Sequence, residues 1–269
     1  MTQYSSGTLK IAPVTGALGA VVEGIDLASA GGVALGGLQA ALDQHLVLYV
    51  PGQALTRHDL SRLGRYFGPP FLHPIVNNGF ADCPEVLELL RKVEDNTMFG
   101  GEGWHADVTW MKPGGYVSIL HGIEIPPVGG DTGFASTLAA YAALSPGLQE
   151  MLESLEAVHT YFWYQGREGP DHTVTQPVVR THPVTGRKGL YVNRMFSNRF
   201  KNMTVKESAP LLGYLFDHME KHEFTCRFRW QAGGVLLWDN RFTLHYPIND
   251  FTAQRRRMIR TTALEVQTQ

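Results

Sequence analysis

The sequence predicts a mainly β fold with flanking helices, a sandwich or jelly roll, on three observations. Short strand-like runs crowd the centre and the C-terminal third of the chain. Glycine and proline, 29 and 15 among 269 residues, are spread as frequent turns and form no linker. Strands do not alternate regularly with helices, which argues against a doubly wound parallel sheet. With no internal repeat and no low-complexity stretch, a single domain over residues 1–269 is expected.

Each element follows from local pattern. Leu9-Lys10-Ile11 and Ala20-Val21-Val22 read as short strands between glycine turns. Residues 36–46 fit a helix with Leu38, Leu42 and His45 on one side. Residues 46–50 are an apolar run closed by Pro51-Gly52, the pattern of a buried strand. Thr56 and Asp59 form a capping pair that opens a helix reaching about Phe67, and Gly68-Pro69-Pro70 ends it. Residues 84–91 fit a strand or a helix, because proline is tolerated at a first helical position. Residues 104–122 read as strand, broken at Pro113-Gly114-Gly115. Gly129-Gly130-Asp131 is a turn before an extended run, 132–136. Residues 137–156 are helical, with a second helix beginning at Ser145-Pro146. Residues 178–192 read as a hairpin around Thr185-Gly186. Residues 205–221 form an amphipathic helix with Leu211, Leu212, Leu215, Phe216 and Met219 on its apolar side. Strands at 225–230, 235–238 and 256–264 close the chain.

Composition removes several function classes. The 23 basic and 25 acidic residues give a net charge of -2, which argues against a general polyanion binder, so no nucleic acid partner is expected. No apolar run is long enough to span a bilayer. The first seven residues are polar and lack the charged-then-apolar pattern of a signal peptide. Cys83 and Cys226 stand far apart, so a reduced, cytoplasmic protein is expected rather than a disulfide scaffold.

The chemistry begins with two His-x-acid patterns, His105-Ala106-Asp107 and His218-Met219-Glu220. On a strand, residues i and i+2 point to one face and can share an ion; on a helix they are about 200° apart and cannot. The first pair lies in an alternating run rich in aromatic and β-branched residues, the second inside the 205–221 helix. Only the first can chelate. Two histidines and a carboxylate that leave coordination positions open form the facial triad of non-haem Fe(II) oxygenases. The best third ligand is His245, in a polar stretch after Trp238-Asp239-Asn240-Arg241. Each of these residues alone reads as a satisfied core or loop histidine; the combination carries the inference.

Arg255, Arg256, Arg257 and Arg260 come next. On a strand, Arg256, Met258 and Arg260 share a face. Two arginines beside an apolar residue are costly to bury unless they meet anions, and guanidinium suits carboxylate or sulfonate bidentately. Arg255 and Arg257 then face solvent. Two other readings are open. A zinc hydrolase would use His218 and His222 on one helix, but its signature needs glutamate directly after the first histidine, where Met219 stands. A non-catalytic ligand-binding jelly roll would have lost its ligands or Arg256, and all are present.

The stretches Trp104-His105-Ala106-Asp107-Val108-Thr109, Gly129-Gly130-Asp131-Thr132, Thr181-His182-Pro183-Val184-Thr185-Gly186, Leu190-Tyr191-Val192-Asn193, Trp238-Asp239-Asn240-Arg241 and His245-Tyr246 run in order over nearly the whole chain, followed by the Arg256–Arg260 spacing. Together they resemble the Fe(II)- and 2-oxoglutarate-dependent taurine dioxygenase / aryloxyacetate dioxygenase (TauD/TfdA) family. The resemblance implies a double-stranded β-helix, with His105, Asp107 and His245 as iron ligands. It implies Arg256 and Thr132 on the distal carboxylate of 2-oxoglutarate, Arg260 and His73 on the acidic group of a small anionic substrate, and Phe196 as a pocket aromatic. It implies O2 as co-substrate, release of succinate and CO2, and a homo-oligomer. Asp239 and Asn240 would support the site, or simply form a turn. Two positions depart from the taurine pattern: Val76 stands where a tyrosine is expected and Gly101 where an asparagine is expected. A sulfonate, a sulfate ester, a carboxylate such as an aryloxyalkanoate, or a biosynthetic acid all fit the resemblance. Tyr161, Phe162, Trp163 and Tyr164 would line the substrate's body or fill the core as an aromatic strand.

Overall fold

The computed structural model describes residues 4–6, 9–74, 78–95, 103–161 and 173–266. Val76, Gly101, Phe162, Trp163 and Tyr164 lie outside them. The N-terminal part contains strands β1 (Tyr4–Ser6), β2 (Leu9–Pro13) and β3 (Ala20–Glu23), helix α1 (Gly32–His45), β4 (Val47–Val50), α2 (Arg57–Phe67), β5 (Gly79–Phe80) and β6 (Cys83–Arg91). The middle contributes β7 (Gly115–Glu124), β8 (Thr132–Ser136), α3 (Thr137–Ala142), α4 (Pro146–Glu153), β9 (Glu156–Thr160), β10 (Thr173–Pro177), β11 (Val179–Thr181), β12 (Lys188–Leu190) and β13 (Ser197–Phe200). Then follow α5 (Val205–Met219), β14 (Thr225–Phe228), β15 (Val235–Asp239), β16 (Thr243–Pro247) and β17 (Arg256–Leu264).

Among the described residues the large sheet runs β1-β2-β3-β4-β15-β7-β17-β6-β5, and a smaller one runs β14-β8-β16. Apolar residues of α1 and α2 (Leu38, Leu42, Leu60, Leu63) pack with Val117, Ile119, Val235, Leu237 and Ile259 on one face of the large sheet. Its other face brings Val47, Leu236, Trp238 and Met258 against Phe134, Cys226 and Phe228 of the small sheet. The small sheet's far side (Ala135, Leu244) packs with Leu212, Leu215 and Tyr141 of the later helices. Two facing sheets clad in helices make the jelly roll that the composition predicts.

Local chemistry explains the better-defined elements. The Thr56 hydroxyl accepts from the Asp59 N–H at 3.2 Å while Asp59 accepts from the Thr56 N–H at 2.9 Å, a reciprocal cap that starts α2. β4 is buried at all four positions, as its unbroken apolar run requires. The ambiguous 84–91 segment is strand β6, because it has β17 to pair with. Among the described residues no helix is long and apolar enough to cross a membrane.

Three expectations are corrected. Residues 104–110 do not form a strand: only His105 is bridged, to His245, and the chain then turns through 107–110. The Asp107 N–H goes to the Asn240 side chain instead of a neighbouring strand, and Val108 takes a left-handed φ of 59°. A β-branched residue adopts that conformation only where its surroundings over-determine it, and here Val108 and Trp110 are buried in an aromatic cluster. The helical stretch expected to reach 156 ends at Glu153, and Glu156 opens β9. The stretch around His245, read as a polar segment, is strand β16, paired with β8.

Candidate active site

His245 lies on β16 with Leu244 on the opposite face, so its ring points inward, against Trp238 and Phe134. The backbones of His105 and His245 exchange two hydrogen bonds, of 3.1 and 2.7 Å, and their ring centroids stand 4.1 Å apart. The turn after Ala106 then swings Asp107 back toward both: Asp107 Oδ1 is 3.8 Å from His105 Nε2 and 3.8 Å from His245 Nε2. One ligand atom from each of the three buried residues lies within 4.8 Å of the others. His105 and Asp107, which strand parity would set on one face, are therefore brought together by a turn.

The donor set fits a divalent metal. The His105 Nδ1–H donates to the Gly103 carbonyl at 2.8 Å, which leaves the Nε2 lone pair facing Asp107. Burial lowers the pKa of both His105 and His245, so the imidazoles are neutral. Burial works to raise the Asp107 carboxyl, but the Arg260 guanidinium against Oδ2 prevails and holds it below the usual carboxylate range. Two neutral imidazoles and an ionised carboxylate need release no proton to take Fe(II).

A connected polar network fixes Asp107. Asn240 Oδ1 accepts from the Asp107 N–H and from the Trp238 indole, both at 3.0 Å, and Asn240 Nδ2 donates to Ser118 Oγ at 2.9 Å. Ser118 in turn donates to Asp107 Oδ2 at 2.7 Å. Thr262 meets the same hydroxyl at 2.9 Å, and Arg260 Nη2 reaches it more distantly at 3.5 Å. Asp239 instead braces the turn, pairing with Arg241 at 2.6 Å. Ser118 escaped the sequence reading; its signal is a serine inside the buried apolar run Val117-Ser118-Ile119-Leu120. The His218 Nε2–H donates to the Ala140 carbonyl at 2.8 Å, a satisfied core histidine away from the triad.

Arg256 and Arg260 share the face of β17 that carries Met258, as parity predicts. Arg256 is buried and donates to the Gly130 carbonyl at 3.3 Å. Gly130 has φ 73°, and a Cβ there would stand 3.4 Å from Arg256 Nε, so the Gly129-Gly130-Asp131 turn makes room for the guanidinium. Thr132 accepts from the Trp230 indole at 3.0 Å, which turns its own hydroxyl proton elsewhere. Trp230 is a second residue the sequence reading missed. Arg255 pairs with Glu124 and Arg257 with Glu88 on the outer side.

On the far side of the triad stands an aromatic wall. His73 hydrogen-bonds with Tyr161 Oη at 3.3 Å and packs against Phe71 and Trp110. Tyr161 stacks on Phe196, whose ring meets His105 edge-on at 6.1 Å.

A family model described as taurine catabolism dioxygenase TauD, TfdA family matches residues 10–262. The chain belongs to that family. It is 31% identical to an alpha-ketoglutarate-dependent sulfate ester dioxygenase of Pseudomonas putida, over 94% of this chain and 89% of that one. It is also 31% identical to an alpha-ketoglutarate-dependent 2,4-dichlorophenoxyacetate dioxygenase of Cupriavidus pinatubonensis, over 91% of this chain and 93% of the other. The crystal structure of a taurine dioxygenase from Burkholderia xenovorans superposes with a TM-score of 0.86 at 32% identity, covering 97% of this chain and 90% of that one. This TauD/TfdA member is a 2-oxoglutarate-dependent dioxygenase that uses Fe(II), O2 and a small substrate.

Proposed function

We propose that this dioxygenase hydroxylates a small organic anion with an apolar body, a sulfonate, sulfate ester or carboxylate. His105, Asp107 and His245 hold Fe(II). Arg256 and Thr132 hold the distal carboxylate of 2-oxoglutarate. Arg260 and His73 take the acidic group of the substrate. The observation that carries this reading is the pair of inward arginines, Arg256 and Arg260, on one face of β17 beside a His-Asp-His cluster. When bound, Fe(II) and 2-oxoglutarate supply the oxidising chemistry with O2, and succinate and CO2 leave with the hydroxylated product.

The protein's part is position and charge. Arg256 and the Thr132 hydroxyl fix one end of the co-substrate from a dry, low-dielectric pocket, where charge-assisted bonds are strong. Arg260 stands beside Asp107, so a substrate anion that it draws in arrives next to the metal ligands. Phe71, Trp110, Tyr161 and Phe196 hold the substrate's body and exclude water. These residues carry no carboxylate, which favours an apolar body, as in an alkyl sulfate or an aryloxyalkanoate, over the ammonium of taurine. The two buried, unbridged cysteines suit a reducing, cytoplasmic compartment.

The test is succinate formation by Fe(II)-loaded protein with 2-oxoglutarate and O2, across sulfonates, alkyl sulfates and aryloxyalkanoates. The expected result is stimulation by one apolar-bodied class, with taurine poor. Stimulation by taurine above all others would overturn the substrate assignment. Absence of 2-oxoglutarate turnover under every condition would overturn the site assignment.

A further inference from the structure

β6 and β17 pair antiparallel, with Arg91 directly opposite Arg256. Directly opposed residues project to the same face of a sheet. Arg91 is therefore on the inward face, at the end of the site where Gly130 and Thr132 lie. Its guanidinium sits 4.4 Å over the Phe251 ring. The same ring comes within 3.2 Å of the place a Gly130 Cβ would occupy, and that place is 3.4 Å from Arg256 Nε. Phe251 and Gly130 thus bind the two guanidiniums into one cluster.

Arg91 is only 6% exposed and Arg256 only 5%. Among the described residues Arg91 Nη1 has no hydrogen-bond partner. The carboxylates nearby are committed: Asp131 to Arg227 at 2.6 Å, and Asp250 to Arg227 and the Gly130 N–H. Burial, and then the neighbouring charge of Arg91, push Arg256 down to about 10 against the opposing pull of Asp131, still cationic at neutral pH. Arg91 is the buried cation that, among the described residues, is ion-paired to no carboxylate, and holding it beside a second cation is costly unless an anion is bound.

We propose that Arg91 is a second anchor for the distal carboxylate of 2-oxoglutarate, closing a two-arginine clamp with Arg256. The inference rests on the site assignment above, which gives Arg256 that carboxylate. It makes a definite trade: Arg91 weakens the ligand-free fold and tightens the co-substrate. A residue that merely packed on Phe251 would do the opposite for stability and nothing for the ligand.

The test uses the Fe(II)-loaded protein under argon, where no turnover occurs, titrated calorimetrically with 2-oxoglutarate and with 2-oxovalerate, which has a methyl group in place of the distal carboxylate. Thermal unfolding of the metal-free, ligand-free protein is measured in parallel. Arg91→Met is expected to weaken 2-oxoglutarate binding about tenfold or more, the worth of one hydrogen bond to a charged group. It should leave 2-oxovalerate unchanged and raise the unfolding temperature without ligand. Arg91→Lys should fall between wild type and Arg91→Met. Unchanged 2-oxoglutarate binding in Arg91→Met overturns the proposal, and so does equal weakening of both keto acids with a lowered unfolding temperature. Arg256→Met separates the two levels. If it loses 2-oxoglutarate while Arg91→Met does not, the site assignment stands and the second anchor falls. If wild type prefers 2-oxoglutarate no more than 2-oxovalerate and Arg256→Met is silent, both fall.

Discussion

The Asp107 backbone N–H donates to Asn240 Oδ1 at 3.0 Å, across 133 residues of sequence. Asn240 thereby holds the carboxylate segment against the strand that leads to His245. Asn240→Ala removes the acceptor for two buried N–H groups and one donor to Ser118. Metal affinity should fall about 10- to 100-fold, the usual effect of losing a residue that orients a ligand. Anaerobic iron titration checks this, and unchanged affinity would show that Asp107 is positioned without Asn240.

Removing the metal should lower the unfolding temperature. The three ligands form only in the folded chain, so the bound ion stabilises that state by mass action. Thermal scans with and without a chelator measure the difference. In His245→Ala and in Asp107→Ala the chelator should make no difference.

Arg256 and Arg260 should separate kinetically. Arg256→Ala should raise KM for 2-oxoglutarate, and Arg260→Ala should raise KM for the primary substrate, each by about 30-fold or more, as loss of one partner of a buried charge pair does. Succinate formation without substrate should survive Arg260→Ala and be lost in Arg256→Ala. If both variants affect the same KM, the two roles are wrongly divided.

Gly130→Ala forces a side chain into a φ of 73° and against Phe251 and Arg256. It should cost about 1–3 kcal/mol of stability and raise KM for 2-oxoglutarate. Chemical denaturation and steady-state kinetics read the two effects.

His159 gives a pH dependence whose sign can be worked out. It is buried, hydrogen-bonded with Thr109 Oγ1 at 3.0 Å and stacked on Tyr191, and burial holds its pKa down to about 3. The unfolded chain binds a proton here at about 6.5. Between these values the unfolded state carries more protons, so stability falls as pH falls, by about 1.4 kcal/mol per unit for this group. Above the unfolded pKa its contribution is flat. Denaturant unfolding at pH 7.5 and 5 should show a smaller loss in His159→Phe than in wild type. Equal losses would mean that His159 is protonated in the folded protein.

Much of the site was legible because its chemistry is written in short spacings. His105 and Asp107 two apart, and Arg256, Met258 and Arg260 on one parity, identify groups that must converge. What was illegible depends on partners distant in sequence. Trp104 to Trp110 has the composition of a strand, yet its one strand-like contact is the His105–His245 bridge, and Trp110 is buried with Phe71 and Phe196 while Trp104 packs on Tyr246. His245 looked like loop because the five residues of β16 gain strand geometry only by pairing with β8. Ser118 and Arg91 carry no local motif. The first becomes meaningful when Asn240 and Asp107 meet it, the second when the register with β17 sets it opposite Arg256.

The reciprocal bonds between His105 and His245 also tie two distant parts of the chain into one unit. His105 and Asp107 lie in one turn, and His245 reaches them only once β16 has paired with β8, so the cluster of three is a product of the finished sheet and no local segment holds it alone.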